Sequence, residues 1–268
     1  MSNIDELNDY DVPAEQTRDG DGMPRIWWKY GNQAAKMSGF FYTKPADYVD
    51  DLIAPWAEAD VYEGEVGAKA ETLRILPIVR RAQPYTKDQE TGRRTYAERW
   101  REGMQIHTEL ICFVEGIDGP AVLSYHGVTG RAMDGKTSGI IPTATRLLAA
   151  EATRLYKKTI GLSAFWLRIG PARTAQGKVD FQRLTQGSVV NAPALCLPVG
   201  LEGKALLSAC YAGRETVEAA AAVRTQYEDW RQERRTHEAD EVLIPAGQPT
   251  GRNVPQPVGV DDLDGDVI

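Results

Sequence analysis

Gln105-Ile106-His107-Thr108-Glu109-Leu110-Ile111-Cys112-Phe113-Val114-Glu115 and Ala121-Val122-Leu123-Ser124-Tyr125-His126, with Asp118-Gly119 between them, decide the fold of this chain. Both runs are rich in β-branched and aromatic residues, and Asp-Gly supplies the positive φ that a tight hairpin needs, so they predict an antiparallel pair. Upstream, Leu73-Arg74-Ile75-Leu76-Pro77-Ile78-Val79 is β-rich with a proline suited to an edge or a bulge. Downstream, strands are expected at Ala164 to Ile169, Val179 to Leu184, Ala194 to Leu197 and Ala205 to Tyr211. Closely spaced strands with short turns favour a small antiparallel barrel or sandwich over a doubly wound parallel sheet.

Two helices interrupt this pattern. Thr143 to Lys158 places Leu147, Leu148, Leu155 and Tyr156 at helical spacing, with Pro142 in the first turn. Arg214 to about Glu241 carries Val217, Ala220, Val223, Tyr227 and Trp230 on one stripe, which predicts packing on the body or on another subunit. No repeat recurs at a period of about 20–50 residues, which argues against a solenoid.

Charge is unevenly spread over the 268 residues. The chain has 31 Lys+Arg against 38 Asp+Glu. Residues 1–22 hold seven acids and one base, and residues 245–268 hold four acids and Arg252, so the body between is slightly basic. The expected organisation is a disordered acidic N-terminus over 1–22, a strand-rich domain over 23–212, an amphipathic helix over 213–241, and a Pro/Gly-rich linker with an acidic tail over 242–268.

The N-terminus lacks the basic and apolar regions of a secretory signal, and no apolar run reaches the roughly 18 residues of a membrane span, so a cytoplasmic location is expected. Cys112, Cys196 and Cys210 have no C-x-x-C spacing and read as buried thiols, and no metal or cofactor is implied.

Two segments interleave aromatic rings with cations. The first comprises Arg25-Ile26-Trp27-Trp28-Lys29-Tyr30, Lys36 and Phe40-Phe41-Tyr42-Thr43-Lys44. The second comprises Arg80-Arg81-Ala82-Gln83-Pro84-Tyr85-Thr86-Lys87 and Arg93-Arg94-Thr95-Tyr96-Ala97-Glu98-Arg99-Trp100-Arg101, read as a long loop between strands with Gly92 at its middle. Single-stranded nucleic acid needs cations along its phosphates and flat faces for its unpaired bases, each stacked base being worth about 1–3 kcal/mol. In the first segment Trp27, Phe40 and Phe41 fit core packing equally well. In the second, the polar context favours contact with nucleic acid, with Arg80, Arg81, Lys87, Arg93, Arg94, Arg99 and Arg101 on phosphates.

Gly130-Arg131-Ala132-Met133-Asp134-Gly135-Lys136-Thr137 matches the G-x-x-x-x-G-K-[ST] pattern of a phosphate-cradling loop. That loop requires a helix starting at Lys-Thr, whereas Ser138-Gly139-Ile140-Ile141-Pro142 follows, so a basic loop touching phosphate through Arg131 and Lys136 is expected instead. His107 and His126 alternate within strands, and no catalytic motif accompanies them.

A strand-rich body with basic and aromatic segments, the linker Pro245-Ala246-Gly247-Gln248-Pro249-Thr250-Gly251 through Pro255-Gln256-Pro257, and an acidic hydrophobic terminus resemble the single-stranded DNA-binding proteins of bacteria and bacteriophages. The resemblance implies an OB-fold body that coats and protects the strand in replication, recombination and repair, without catalysis. It also implies a tail, here Asp261, Asp262, Leu263, Asp264, Asp266, Val267 and Ile268, that recruits replication or recombination proteins. Bases would stack on some of Trp28, Tyr30, Tyr85, Tyr96 and Trp100, with Lys29 beside them, and a phage-encoded chain would act in the host cytoplasm. Bacterial members end in an aromatic-Pro-Phe type tip and phage members often in Phe, whereas this chain ends Asp266-Val267-Ile268. Two other readings are a nucleotide hydrolase using Lys136 and Thr137, and an interaction scaffold assembling through the Arg214 helix.

Overall fold

The computed structural model describes residues 23–231 apart from 34–35, 45–53, 63–64, 89–93 and 184–188. The acidic N-terminus, the linker, the tail and Arg93 lie outside the described residues.

The chain is mainly β, with one long curled sheet forming a half-barrel and helices on both of its faces. Its strands are β1 (Arg25–Lys29), β3 (Phe40–Thr43), β4 (Ala57–Tyr62), β5 (Glu65–Ala70), β6 (Leu73–Lys87), β7 (Arg94–Tyr96), β8 (Gln105–Val114), β9 (Pro120–His126), β10 (Leu167–Pro171) and β13 (Pro193–Leu195). They lie in the order β13-β10-β6-β8-β9-β1-β3-β5-β4, with β7 paired to the far end of β6. A small second sheet joins β2 (Gly31–Asn32), β11 (Gln182–Arg183) and β12 (Val189–Asn191).

The predicted hairpin is β8–β9, in register from His107↔His126 to Phe113↔Pro120, with Gly119 at φ +75° in its turn. Pro77 marks the expected bulge, where the register of β6 against β8 shifts between Pro77 and Val79. All pairings in the long sheet are antiparallel except β1 with β9, which run parallel through Arg25↔Val122 and Ile26↔Leu123.

Alternation along the strands divides the core in two. On one face, Ile26, Trp28, Phe41, Ile75, Leu110, Leu123 and Leu167 pack against the helical layer through Met133, Ile140, Leu148 and Leu207. On the other, Leu76, Val79, Ile111 and Val122 pack under Ala220 and Trp230. The fit is tight around Trp28, since a Cβ on Gly39 would come within 2.3 Å of its ring. Gly39→Ala is therefore expected to cost about 1–3 kcal/mol, read as a lower denaturant midpoint at unchanged slope.

The helical layer is built from α1 (Gly127–Asp134), a continuous helical run through α2 (Ile140–Ala144), a π-helical stretch Thr145–Ala150 and α3 (Glu151–Tyr156), and α4 (Gly203–Cys210). The run from Ile140 to Tyr156 is the predicted Thr143 helix, with Pro142 in its first turn. Its buried face differs from the expected one: Ala144, Leu148, Ala149 and Ala152 are buried, while Leu147, Leu155 and Tyr156 are exposed. The π-helical stretch changes the angular step between residues and rotates the later stripe away from the core.

Three expected elements differ. Ala205 to Cys210 lies in helix α4 rather than in a strand, because Leu206, Leu207 and Cys210 bury one helical face and Ala and Leu make up four of these six residues. Among the described residues of the expected strand Val179 to Leu184, only the two-residue β11 and an isolated bridge from Val179 to Arg173 are formed. The C-terminal α-helix, α5 (Arg214–Gln226), ends well before Glu241. A 3-10 turn over Asp229–Arg231 follows and tucks Trp230 against the sheet, where the Arg81 guanidinium lies 3.9 Å from its ring centroid. The stripe Val217, Ala220, Val223, Tyr227 and Trp230 does seat on the body.

Candidate nucleic-acid interface

The first aromatic segment forms two adjacent antiparallel strands, and their period-2 alternation sorts its residues. Ile26, Trp28 and Phe41 point into the core, while Trp27, Lys29, Phe40 and Tyr42 occupy the opposite face, half-buried. Cross-strand pairing brings that outer set together through Trp27↔Tyr42, Lys29↔Phe40 and, one strand further, Tyr42↔Lys69. The Trp27 and Tyr42 rings stack at 5.6 Å with planes 29° apart.

Three lysines ring these aromatics. Lys29 Nζ and Lys69 Nζ lie 5.8 and 5.7 Å from the Phe40 centroid, and Lys44 Nζ lies 5.8 Å from that of Trp27. Such contacts hold an ammonium near a ring through the attraction of the ring quadrupole for a cation. The β4 residue opposite Lys69 is Ala57. Apolar planes and cations thus alternate over β1, β3 and β5.

The same face carries a second cluster where β6, β7, β8 and β9 meet. Tyr85↔Tyr96 and Lys87↔Arg94 pair across β6–β7, and Gln83↔His107↔His126 pair across β6, β8 and β9. Tyr85, Tyr96, His107 and His126 pack ring against ring at 5.9–6.2 Å. Polar atoms beneath are linked: Tyr96 Oη meets His107 Nδ1 at 2.7 Å, His107 Nε2 meets Ser124 Oγ at 2.7 Å, and Tyr85 Oη donates to Gln105 Oε1 at 2.6 Å. Arg94 lies 5.5 Å over the Tyr85 ring.

Burial, with Arg94 and Lys87 nearby, pushes the His126 imidazole down to about 4. It is neutral in the folded protein where an unfolded histidine, near 6.5, takes up a proton. Stability is therefore unaffected above about pH 6.5 and falls as pH drops toward 4, by on the order of 3 kcal/mol in full. His126→Gln is expected to flatten this acid slope in urea melts at pH 7 and pH 4.5.

Several residues predicted as ligand contacts have other duties. Trp28 is a core residue, its indole N–H donating to the Asn191 carbonyl at 3.2 Å and its ring edge-on to Phe41. Tyr85 and Tyr96 are each 1% exposed and have no face for a base, because Arg94–Tyr96 folds back as a strand where a long open loop was expected. Tyr30 Oη accepts hydrogen bonds from the Thr129 amide and hydroxyl. Arg80 is paired to Asp134 at 2.7 Å, on the helical side of the sheet. Arg81 is paired to buried Glu109 at 2.6 Å. Trp100, by contrast, is 55% exposed, with Arg99 exposed and Arg101 half-buried beside it.

Arg131 and Lys136 are exposed but belong to the helical layer, away from the aromatic face. Gly130–Asp134 of the phosphate-loop pattern forms the last turns of α1, and Gly135 is its C-cap. Lys136 thus follows a helix C-terminus, whose partial charge is negative, whereas a phosphate cradle needs a helix N-terminus.

Trp27, Phe40, Tyr42, Lys44 and Lys69 belong to this candidate patch, and sequence reasoning did not name them as contacts. The signal was present for three of them, since the alternation in Arg25–Lys29 and Phe40–Thr43 separates an inward from an outward set. Among the described residues no group of His, Cys, Asp and Glu is placed to hold a metal ion, and no helix is long and apolar enough to cross a membrane. Burial pushes the Cys112 thiol up to about 12.

Fold and site together define a class: a curled, largely antiparallel sheet that displays half-buried rings and cations on one face. Compared with known proteins, the chain matches no family model, no curated protein and no solved structure.

Proposed function

We propose that this protein binds single-stranded DNA without catalysis, coating and protecting the strand during replication, recombination or repair, in the cytoplasm of a bacterium or of a phage-infected host. The observation that carries the reading is the outer face of β1, β3 and β5, where Trp27, Phe40 and Tyr42 alternate with Lys29, Lys44 and Lys69. Rings supply sequence-tolerant stacking and lysines meet the phosphates, the two elements of single-strand recognition. Lys87, Arg94, Arg99, Trp100 and Arg101 extend the surface toward the end of β6.

Strand order supports an OB-type platform. In that barrel a three-strand meander is followed by a helical connection to a fourth strand beside the first, and a fifth strand lies parallel to the third. Here β6-β8-β9 is the meander, α1 to α3 the connection, β10 pairs antiparallel with β6, and β1 runs parallel to β9. The fifth strand thus precedes the other four in the chain, a circularly permuted order. OB-folds bind through the face of strands two and three and the loop between strands one and two. The corresponding parts are β8–β9 and the segment after Lys87 that holds Arg94, Arg99, Trp100 and Arg101. The tail from Asp261 to Ile268 would recruit replication or recombination proteins.

Fluorescence anisotropy of labelled oligo(dT) over a salt series, with an equal-length duplex as competitor, tests the reading. Binding is expected to be salt-sensitive and indifferent to the duplex. Replacing Lys29, Lys44 and Lys69 together by Gln is expected to lower the slope of log K against log salt by about 2, each lost phosphate contact contributing about 0.7. No binding at low salt would end the proposal, and an unchanged slope would remove these lysines from the site.

A further inference from the structure

The exposed stripe of α3 borders a groove that the nucleic-acid reading leaves unused. Ala152 and Tyr156 of α3, Ile160, Ala164 and Phe165 of the following connection, and Leu207, Ser208 and Tyr211 at α4 enclose a cavity of about 310 Å³. That is the small end of the binding-pocket range of roughly 300–1,000 Å³, sized for a few aliphatic side chains rather than a folded element. Its walls are mostly apolar, and Tyr156 and Tyr211 stand exposed at its rim. Lys157 and Lys158 follow Tyr156 directly and are exposed. Lys204, also exposed, lies three and four residues before Leu207 and Ser208 on the same face of α4. Of the nearby acids, Glu151 is engaged by Arg154 at 2.6 Å, and Glu202 is exposed at the start of α4.

An apolar groove with a basic rim fits a ligand that is acidic with aliphatic side chains between its charges. Asp261-Asp262-Leu263-Asp264-Gly265-Asp266-Val267-Ile268 has that composition: four acids, no base, and Leu263, Val267 and Ile268 to insert. The 37 residues after Arg231 can extend to roughly 120 Å. A tethered segment also faces an effective concentration in the millimolar range, so even a weak groove is filled.

We infer that the groove between α3 and α4 is the docking site of the chain's own segment Asp261–Ile268. The docked segment shelters its aliphatic side chains, and a partner protein must compete for it. The site lies in the helical layer, opposite the aromatic face, so the inference stands independently of nucleic-acid binding.

The test uses the full chain, without nucleic acid, carrying a photo-crosslinking phenylalanine analogue in place of Leu263. Irradiation is expected to give a monomeric cross-linked species whose mapped peptides contain Tyr156, Leu207 or Tyr211. Raising salt to 1 M should reduce the yield. Tyr156→Glu, a surface change that leaves the core intact, is expected to lower it about tenfold, the effect of ~1.4 kcal/mol. Cross-links mapping to Trp27, Phe40 or Tyr42, cross-links that join two chains, or a yield unchanged by Tyr156→Glu with a retained fold by circular dichroism would each overturn the assignment.

Discussion

Replacing Trp27 and Phe40 together by alanine is expected to weaken oligo(dT) binding by about 30-fold or more. Each stacking ring contributes about 1–3 kcal/mol, so the pair removes roughly 2–6 kcal/mol of binding, and every 1.4 kcal/mol is a factor of ten. Both rings are half-buried on the outer face and outside both core clusters, so the melting temperature should change little. That separation distinguishes a contact from a fold defect. The matched control is Trp28→Ala, which is expected to do the reverse: Trp28 packs on Phe41 and sits under Gly39, so its loss costs about 3–5 kcal/mol of stability. Anisotropy alongside thermal melts reads both variants. Full affinity in the Trp27→Ala/Phe40→Ala protein, with its fold intact, would move the binding site away from β1 and β3.

The contrast between these neighbours shows what the sequence made legible. The β8–β9 hairpin, the bulge at Pro77 and the helix beginning near Pro142 were readable because alternation, a turn dipeptide and a fixed φ are local signals. The Ala205 to Tyr211 segment was misread because a short apolar run has no period long enough to separate strand from helix, and Gly203, which opens the helix, is a weak marker. For the candidate site, composition located both aromatic-basic segments but favoured the second, in which Tyr85 and Tyr96 turn inward while Trp100 stays exposed. Tyr85 and Tyr96 lie among charged residues in sequence, yet β7 folds back on β6 and the two rings cover each other and His107. Lys69 joins the patch only through the β3–β5 pairing, a long-range contact with no sequence signature. The pairing of Arg81 to Glu109 and of Arg80 to Asp134 was equally invisible, since each acid lies 28 or 54 residues away.

Glu109→Gln is expected to destabilise the fold more than any surface change, by about 3–5 kcal/mol. The carboxylate is 3% exposed and accepts from Arg25 Nη1 at 2.5 Å and Arg81 Nε at 2.6 Å, joining β1, β8 and β6 on one face of the sheet. Glutamine keeps the shape but removes the charge, leaving two guanidinium groups with little water to stabilise them, which is the costly way to break a buried ion pair. At about 2–4 °C per kcal/mol for a domain of this size, the melting temperature should fall by roughly 6–20 °C. The position matters for the proposed interface because β1 meets β9 over a short pairing, Arg25↔Val122 and Ile26↔Leu123, so the Arg25–Glu109 bond is a further tie for the strand that carries Trp27 and Lys29. Loss of the tie should therefore also weaken DNA binding, by way of β1 rather than by any contact with the strand. Replacing all three members, Arg25→Met, Glu109→Leu and Arg81→Met, removes the charges together with their desolvation cost and is expected to recover most of the lost stability. Binding then reports whether β1 is back in place. A melting temperature within 2 °C of the parent for Glu109→Gln alone would show that the carboxylate is not what holds β1 to the meander.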